Sequence, residues 1–369
     1  MLDNGGVERW VVDLCRAGRS ENIAMDIAVV SEQRGIFSQR AREHGIPVYH
    51  CAGGKNLWRF ASNLRKLLRE HGPYDAIHCH LHAFSSFAVL AASLEDVPVR
   101  VAHSHNVVRN SALSLRRRGY IVLARTLLEM FATSGLAPSA WAAADLFGDA
   151  WRADARWRVL PLGLDLVPFR APIDATSSRA ALGIPENALV LGSVGRLSRE
   201  KNSEFLLEIL AAVLRRRADA YLLLIGDGPL RDKLDQKARE GGYRERLVLT
   251  GPRSDVPALL RSVMDVFVFP SPPPPVGNEA LGLAVVEAQA AGLPAVISDG
   301  IPDEAIVVRE LTMRLRADAG AEKWAEAAIQ QASRRDPTVR ALERIEQSEH
   351  NCKVNVKTLA DLYRGSSVG

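Results

Sequence analysis

Hydrophobic residues fall into two kinds of run along this chain. Short apolar runs, typical of buried parallel strands, alternate with longer runs in which apolar residues recur at helical spacing. The strands predicted in the first half are 25–30, 47–49, 76–80, 99–104, 135–138 and 159–162. The helices predicted between them are 7–15, 37–44, 57–71, 84–93, 121–132 and 140–146.

The same alternation starts again in the second half. Its predicted strands are 189–194, 220–225, 247–250, 266–269 and 295–298. Its predicted helices are 203–215, 230–239, 256–262, 281–291, 321–335 and 354–363. Alternating elements of this kind predict an α/β fold with mostly parallel sheets. We expect two doubly wound, Rossmann-like domains facing a cleft, over residues 1–165 and 172–350. Residues 351–369 should form a C-terminal helix that returns to the first domain.

The N-terminus departs from this pattern. Gly5 and Gly6 form a glycine turn before a helix, and such a turn normally follows a β-strand in a doubly wound domain. Only four residues precede Gly5. The sequence therefore predicts that the first strand of the N-terminal sheet is missing, which would leave backbone groups of the neighbouring strands unpaired.

Composition narrows the class of protein. The chain has 369 residues, a hydrophobic fraction of 47% and a net charge of +4, which is too small to indicate nucleic-acid binding. No apolar run is long enough to span a membrane, and no signal peptide is present. Four scattered cysteines favour reduced thiols and a cytoplasmic location. The basic run Arg116–Arg118 could contact an anionic membrane face, although an ordinary solvated helix face is the simpler interpretation.

The most informative stretch is Glu279 to Pro294. Two carboxylates, Glu279 and Glu287, flank an almost wholly apolar segment that is predicted to be a buried helix starting near Gly282. A glycine at a helix start lets a ligand approach the backbone, and the free N–H groups of the first turn favour an anion. The alternative for Glu287 is partial exposure or an ion pair with an arginine.

Further polar residues stand at the predicted carboxyl ends of strands in the second half. They are Arg196, Lys201, Asp227 and Arg253. Ligands of open α/β sheets bind at that edge, and two cations beside a helix N-terminus suit a diphosphate. Any one of these residues could instead form an ordinary surface ion pair.

A histidine-rich segment, His78 to His82, could be read as a metal site. His78, His80 and His82 would share one face if the strand continued that far. A metal-free cluster at the strand end is the favoured interpretation.

An ordered set of motifs resembles glycosyltransferase family 4, whose members are retaining enzymes of the GT-B fold. Within that family, the chain is most similar to enzymes that assemble capsular polysaccharides and exopolysaccharides. The motifs of the second half are Gly195-Arg196-Leu197 with Lys201-Asn202, Gly226-Asp227-Gly228-Pro229, Gly251-Pro252-Arg253, Phe269-Pro270-Ser271, and Glu279 with Glu287. Looser matches in the first half are the glycine turn, Ala102-His103-Ser104-His105-Asn106 and Leu160-Pro161-Leu162-Gly163. The family usually has glycine where this chain has Ala280.

The resemblance implies roles for individual residues. Arg196 and Lys201 would bind the donor diphosphate, Glu279 the donor sugar and Glu287 the ribose. The backbone of Gly282 and Leu283 would contact phosphate, and Arg253 would border the base. In the first domain, Gly5 and Gly6 would line the cleft, and His105, or alternatively His103, would contact the donor sugar.

The resemblance also implies a reaction. A retaining enzyme would transfer a sugar from a nucleotide diphosphate, UDP-linked rather than GDP-linked, to a saccharide or lipid-linked acceptor without a metal or other cofactor. The expected location is the cytoplasm, with peripheral contact to the inner membrane face and no nucleic-acid partner. A nucleotide-sugar epimerase of the same architecture and a non-catalytic or truncated sugar-nucleotide-binding protein are the alternatives.

Overall fold

The chain divides into two units. Unit 1 comprises Met1–Asp165 together with Glu349–Gly369, and unit 2 comprises Leu166–Ser348. The computed structural model describes residues 6–30, 36–53, 56–108, 114–172, 179–334 and 340–365. Residues 166–171, which lie between the two predicted domains, belong to unit 2, and the C-terminal helix belongs to unit 1.

Unit 1 is built on parallel strands in two sheets. The strands are β1 (Ile27–Val29), β2 (Val48–His50), β3 (Ala76–Cys79), β4 (Val99–His103), β5 (Ser134–Ala137) and β6 (Trp157–Val159). β1 pairs with β2, and the other four strands form one parallel sheet in the order β3-β4-β5-β6. Within the described residues no ladder joins β1 to β3, so each is an edge strand of its sheet.

The helices of unit 1 cover these sheets. They are α1 (Gly6–Gly18), α2 (Ile36–Glu43), α3 (Leu57–His71), α4 (Ser85–Ser93), α5 (Leu115–Phe131), α6 (Ala140–Phe147) and a C-terminal helix, Cys352–Tyr363. The C-terminal helix packs against α1. Asn355 links this helix to α1 and to the segment after β6. Its side chain accepts a hydrogen bond from Trp10 Nε1 at 3.2 Å and donates one to the Pro161 carbonyl at 2.7 Å. This fully buried amide has partners for both its donor and its acceptor, as burial requires.

Unit 2 contains one six-stranded parallel sheet. Its strands are β7 (Val190–Val194), β8 (Tyr221–Ile225), β9 (Leu247–Gly251), β10 (Val266–Phe269), β11 (Ala295–Ser298) and β12 (Thr312–Leu315). Their order is β12-β11-β10-β7-β8-β9, that of a doubly wound sheet. The direction of winding reverses between β7 and β10. Ligands of such sheets bind beyond the carboxyl ends of the strands at this switch point.

The helices of unit 2 lie on both faces of its sheet. They are α7 (Ser203–Leu214), α8 (Arg231–Glu240), α9 (Val256–Ser262), α10 (Leu283–Ala290), α11 (Ala321–Ala332) and α12 (Ala341–Glu346). The C-terminal helix of unit 1, Cys352–Tyr363, is numbered α13. α7 packs against α11, and their apolar residues share a core with strands β7, β8 and β10. No helix within the described residues is both long enough and apolar enough to cross a membrane.

The predicted fold class is confirmed, and the differences concern individual elements. β6 ends at Val159 rather than at Leu162, and α5 begins at Leu115 rather than at Ile121. Ser114 explains the earlier start of α5, since its hydroxyl accepts a hydrogen bond from the Arg117 N–H. β12 and α12 were not predicted, because an edge strand containing arginine and a short, charged helix lack a clear apolar period.

The loops after β7 and β8 are in direct backbone contact. The N–H of Gly195 donates to the Ile225 carbonyl at 2.9 Å, and the N–H of Leu197 donates to the Asp227 carbonyl at 3.0 Å. Gly226 adopts a φ of +132°, and a Cβ atom there would lie 2.1 Å from the Gly195 carbonyl oxygen. A side chain at Gly226 would therefore force apart the two loops that position Arg196.

We predict that Gly226→Ala destabilises unit 2 more than a matched glycine replacement. Gly242 has a φ of +74° with open space around it, so Gly242→Ala brings only the cost of the left-handed conformation, about 1–2 kcal/mol. Gly226→Ala adds a backbone clash and should cost roughly 3 kcal/mol or more. Hydrogen exchange of unit 2 peptides measures both losses, and equal losses would contradict this account of the loop contact.

Candidate active site

Four of the predicted site residues follow the two strands at the switch point of unit 2. Arg196 and Lys201 lie in the loop after β7, and Glu279 and Gly282 lie in the loop after β10. β7 and β10 are direct neighbours, with Val266 opposite Leu191 in the ladder. The carboxyl ends of parallel strands meet at one edge of the sheet, so these two loops are brought together there.

An ion pair joins the two loops. The ammonium group of Lys201 contacts Oε1 of Glu279, and the exposed fractions of the two side chains are 24% and 8%. The same ammonium lies 5.7 Å from the ring centroid of Phe269, the last residue of β10. Lys201 therefore sits at the end of β10 although it belongs to the loop after β7, and its partner keeps the Glu279 carboxylate in a fixed position.

Two hydrogen bonds reinforce this junction. The side-chain amide of Asn202 donates to the Pro270 carbonyl at 3.2 Å, and the hydroxyl of Ser271 donates to the Glu200 carbonyl at 3.0 Å. Asn202 has a φ of +55°, a conformation that asparagine tolerates better than most residues. The start of α7 and the end of β10 therefore form one connected structure.

Arg196, unlike Lys201, has no internal partner among the described residues. Its side chain is exposed, and no hydrogen bond or ion pair links it to another residue in the described part of the chain. Arg253, by contrast, pairs with Asp255 through an Nε–Oδ1 contact of 2.7 Å. The Asp227 carboxylate accepts from the N–H of Gly228 at 2.8 Å. Arg196 is thus a cation that is available to an external anion.

Helix α10 begins beside this junction. Gly282 caps it with a φ of +90°, and its carbonyl accepts a hydrogen bond from the N–H of Val285 at 2.8 Å. The N–H groups of Leu283 and Ala284 have no acceptor further back in the helix. Glu287 lies in the middle of α10 with an exposed fraction of 8%. This helix start follows the loop that Lys201 contacts, and exposed Arg196 lies in the neighbouring loop at the same edge of the sheet. Two cations and a helix N-terminus at one sheet edge suit a diphosphate.

A buried glutamine holds α10 in place. The Gln289 amide donates to the Ala305 carbonyl at 2.7 Å, and its Oε1 accepts from the N–H groups of Val307 and Val308 at 2.9 and 2.7 Å. The segment after β11 is therefore tied to the outer side of the helix. Sequence analysis did not single out Gln289, because its partners are backbone groups that leave no pattern of residue types.

Unit 1 carries a compact group of four histidines at the ends of β3 and β4. In the ladder His78 lies opposite Val101, a register that brings His78 and His80 alongside His103 and His105. His78 Nε2 is 3.0 Å from His103 Nδ1, and His80 Nδ1 is 2.8 Å from His105 Nε2. We call these four residues the histidine cluster.

Two residues that were not predicted complete the histidine cluster. The indole of Trp10 lies against all four rings, with centroid distances between 5.4 and 6.4 Å. The hydroxyl of Tyr363 is 2.5 Å from His78 Nδ1. One sequence signal could have revealed the cluster, because the same His-x-His pattern occurs at the ends of two successive strands. Tyr363 gave no such signal, since it lies 285 residues after His78 in the chain.

The alternative metal site of His78, His80 and His82, which required the strand to continue to His82, does not form in that arrangement. His82 has left the strand, with a φ of +52°, and its Nε2 contacts Asp145 Oδ2 at 2.8 Å. The ligand atoms within 4.8 Å of one another instead come from His78, His80 and His103. These three could hold a metal, but hydrogen bonds between histidines already involve a ring nitrogen of each.

Burial determines the charge of the histidine cluster. Desolvation lowers the pKa of His80 to about 4, and it lowers the pKa values of His78, His103 and His105 well below the usual value. Neighbouring imidazoles add to the effect for those three, because a second positive charge nearby is unfavourable. All four rings are therefore neutral at pH 7.

The structure brings most, but not all, of the predicted site residues together. Arg196, Lys201, Glu279, Gly282, Leu283 and Glu287 belong to the two loops and the helix at the switch point. Arg253 follows β9, two strands away from β7, and is engaged with Asp255. In unit 1, His103 and His105 lie in the histidine cluster, Gly6 is the exposed first residue of α1, and Gly5 lies outside the described residues. The contact of His105, or alternatively His103, with a donor sugar stays a prediction, and so does the position of Gly5 and Gly6 in a cleft.

Comparison with known proteins identifies the class. Residues 4–167 match the family described as Glycosyltransferase Family 4, and residues 174–347 match Glycosyl transferases group 1. EpsF of Bacillus subtilis, which is named as a glycosyltransferase, is 31% identical over 371 residues, covering 99% of this chain and 95% of that protein. With two Rossmann-like units and a basic site at the switch point, the chain belongs to the GT-B glycosyltransferases.

Two further comparisons extend the picture. The UDP-Gal:alpha-D-GlcNAc-diphosphoundecaprenol alpha-1,3-galactosyltransferase of Escherichia coli is 30% identical over 249 residues, covering 64% of this chain and 60% of that enzyme. The crystal structure of Anabaena Alr3699/HepE in complex with UDP and glucose has a TM-score of 0.80, with 20% identity, and covers 100% of this chain and 98% of that chain. The second comparison concerns the fold alone.

We predict that acid destabilises unit 1 through the histidine cluster. An unfolded histidine binds a proton below pH ~6.5, whereas folded His80 resists protonation down to about pH 4. The unfolded state thus binds more protons in this window, and stability falls as the pH is lowered from ~6.5 towards 4, by up to about 1.4 kcal/mol per pH unit for each such histidine.

The free energy of unfolding of unit 1, measured by hydrogen exchange across this pH range, tests the expectation. His80→Gln should flatten the pH dependence, because it removes one group that must stay neutral. His50→Gln, on an exposed histidine of β2 outside the histidine cluster, is the control. The same slope in wild type and His80→Gln would show that the cluster does not set the acid sensitivity.

Proposed function

We propose that this glycosyltransferase moves a sugar from a nucleotide diphosphate donor to a saccharide or lipid-linked acceptor in the synthesis of a cell-surface polysaccharide, with retention of configuration. The observation that carries the proposal is the Lys201–Glu279 ion pair beside exposed Arg196 and the start of α10. A uridine diphosphate donor is favoured. The Escherichia coli relative is named for UDP-Gal, and the Anabaena structure contains UDP.

The departure of the diphosphate is the step that most needs stabilisation by the enzyme. When the bond between the anomeric carbon and the phosphate oxygen breaks, its electron pair stays on the diphosphate and negative charge builds up there. Arg196, Lys201 and the first N–H groups of α10 would act on that developing charge, which is the most effective place for electrostatic stabilisation. Because these groups already supply positive charge, we propose that transfer needs neither a metal nor another cofactor.

The remaining groups would position the donor. Glu279, fixed by Lys201, would accept hydrogen bonds from hydroxyls of the donor sugar, and Glu287 would bind the ribose. Leu283 and Gly282 would contact phosphate through their backbone. Arg253 would border the base once its ion pair with Asp255 has been broken.

Retention follows if the acceptor attacks from the face that the diphosphate leaves. The acceptor oxygen then forms the new bond to the anomeric carbon, and its proton passes to the departing phosphate oxygen. No protein base is needed in this step. A lipid-linked acceptor of the kind named for the Escherichia coli relative would bring the reaction to the cytoplasmic face of the membrane.

Incubation of the purified protein with a panel of UDP- and GDP-sugars tests the proposal. We expect transfer from a UDP-sugar to an added acceptor, undiminished by EDTA, with a product of the donor's anomeric configuration by NMR. An inverted product would refute the mechanism. Epimerisation of the donor, or binding without turnover, would instead support the two alternative functions.

A further inference from the structure

Helix α5 of unit 1 exposes apolar side chains on the face that points away from its own packing. Ala124 and Leu128 are buried and face the rest of unit 1. Leu115, Val122, Leu123 and Met130 are 85%, 65%, 49% and 66% exposed. At 100° per residue these four lie within one stripe, opposite Ala124. The solvent side of a surface helix is normally polar, so this apolar stripe needs a partner.

The charges of α5 indicate what kind of partner it is. Arg116, Arg117 and Arg118 occupy its first turn and are all exposed. Within the described residues none of their side chains has a hydrogen bond or an ion pair. The helix carries a single acidic residue, Glu129, which lies near the opposite end. An apolar stripe that begins beside unpaired arginines matches a surface with anionic groups above hydrocarbon.

A second run with the same four residues shows that exposed arginines in this motif can find partners within the protein. Leu214-Arg215-Arg216-Arg217 repeats the Leu-Arg-Arg-Arg sequence at the end of α7. There, Arg215 and Arg216 pair with Glu322, and Arg217 pairs with Asp219. In one copy of the motif the charges are neutralised by the protein, and in the other they are left to an external partner.

A partly exposed tryptophan lies at the same end of unit 1 as the start of α5. Trp141 lies in the first turn of α6 and is 36% exposed. α5 and α6 each follow a strand of one parallel sheet, so both helices begin at its carboxyl edge. Partly exposed tryptophan is favoured at membrane–water interfaces, where its ring sits between headgroups and chains.

We propose that α5 docks the protein on an anionic lipid bilayer. The helix would lie in the plane of the interface, with Leu115, Val122, Leu123 and Met130 entering the headgroup region and Arg116–Arg118 contacting lipid phosphates. The inference does not depend on the identity of the donor or on the reaction. It extends the proposed function, because a lipid-linked acceptor is found only at such a surface.

Flotation with lipid vesicles tests the docking surface. The full chain is mixed with vesicles of phosphatidylcholine alone or of phosphatidylcholine with phosphatidylglycerol. We expect binding to the anionic vesicles only, and weakening as salt is raised. The triple variant Arg116→Gln, Arg117→Gln, Arg118→Gln should bind on the order of a hundredfold more weakly. The triple variant Val122→Gln, Leu123→Gln, Met130→Gln should also lose binding, and more so at high salt, where only the apolar contribution remains.

The matched control is Arg215→Gln, Arg216→Gln, Arg217→Gln, which removes the same charge and should leave vesicle binding unchanged. Thermal unfolding and nucleotide affinity verify that each variant is folded. Absence of binding by the wild type, or equal weakening by both arginine variants, overturns the proposal. Concentration-dependent self-association that is lost in the α5 variants, without vesicle binding, would assign the stripe to a second copy of the chain and would also overturn it.

Discussion

The arrangement of unit 2 depends on one ion pair between the two loops at its switch point. The loop after β7 carries Arg196 and Lys201, the loop after β10 carries Glu279, and the contact between Lys201 and Glu279 joins them. This pair leaves Arg196 exposed and holds the Glu279 carboxylate near the start of α10. The backbone contacts through Gly195 and Gly226 support the same geometry from the other side of the loop. The protein's own contacts therefore hold the two loops in a fixed arrangement, and such an arrangement suits electrostatic stabilisation of a leaving group.

Unit 1 uses a different principle. Its histidine cluster packs against Trp10, and its neutral imidazoles pair with one another, His78 with His103 and His80 with His105. Neutral rings at a strand end can offer a hydrogen bond without adding charge. Unit 2 concentrates positive charge at its switch point, and unit 1 keeps its polar group uncharged. This division agrees with a reaction in which charge develops on the diphosphate and not on the acceptor.

The sequence could predict what depends on strand alternation and strand ends. Arg196, Lys201 and Glu279 were found because parallel strands place their carboxyl ends at one edge, and the order of elements was enough to fix that edge. A histidine cluster was predicted at the end of β3, but the pairing of its members with His103 and His105 depends on the register between β3 and β4, which was not predicted. Asn355 and Tyr363 act through partners far away in the chain, and Gln289 acts through backbone groups that leave no pattern of residue types. His82 was misplaced because the strand ends at Cys79, before the alternation that would have aligned it.

The central claim is that Arg196 and Lys201 bind the second phosphate of the donor nucleotide. Comparing the affinities of UDP and UMP by calorimetry tests it most directly, because the two ligands differ only in that phosphate. The wild type should prefer UDP by roughly a hundredfold, given about 1.5–3 kcal/mol for a charge-assisted hydrogen bond. Arg196→Ala should reduce this preference at least tenfold, while Arg199→Ala, an exposed arginine in the same loop, should leave it intact. An unchanged UDP-to-UMP ratio in Arg196→Ala would contradict the account.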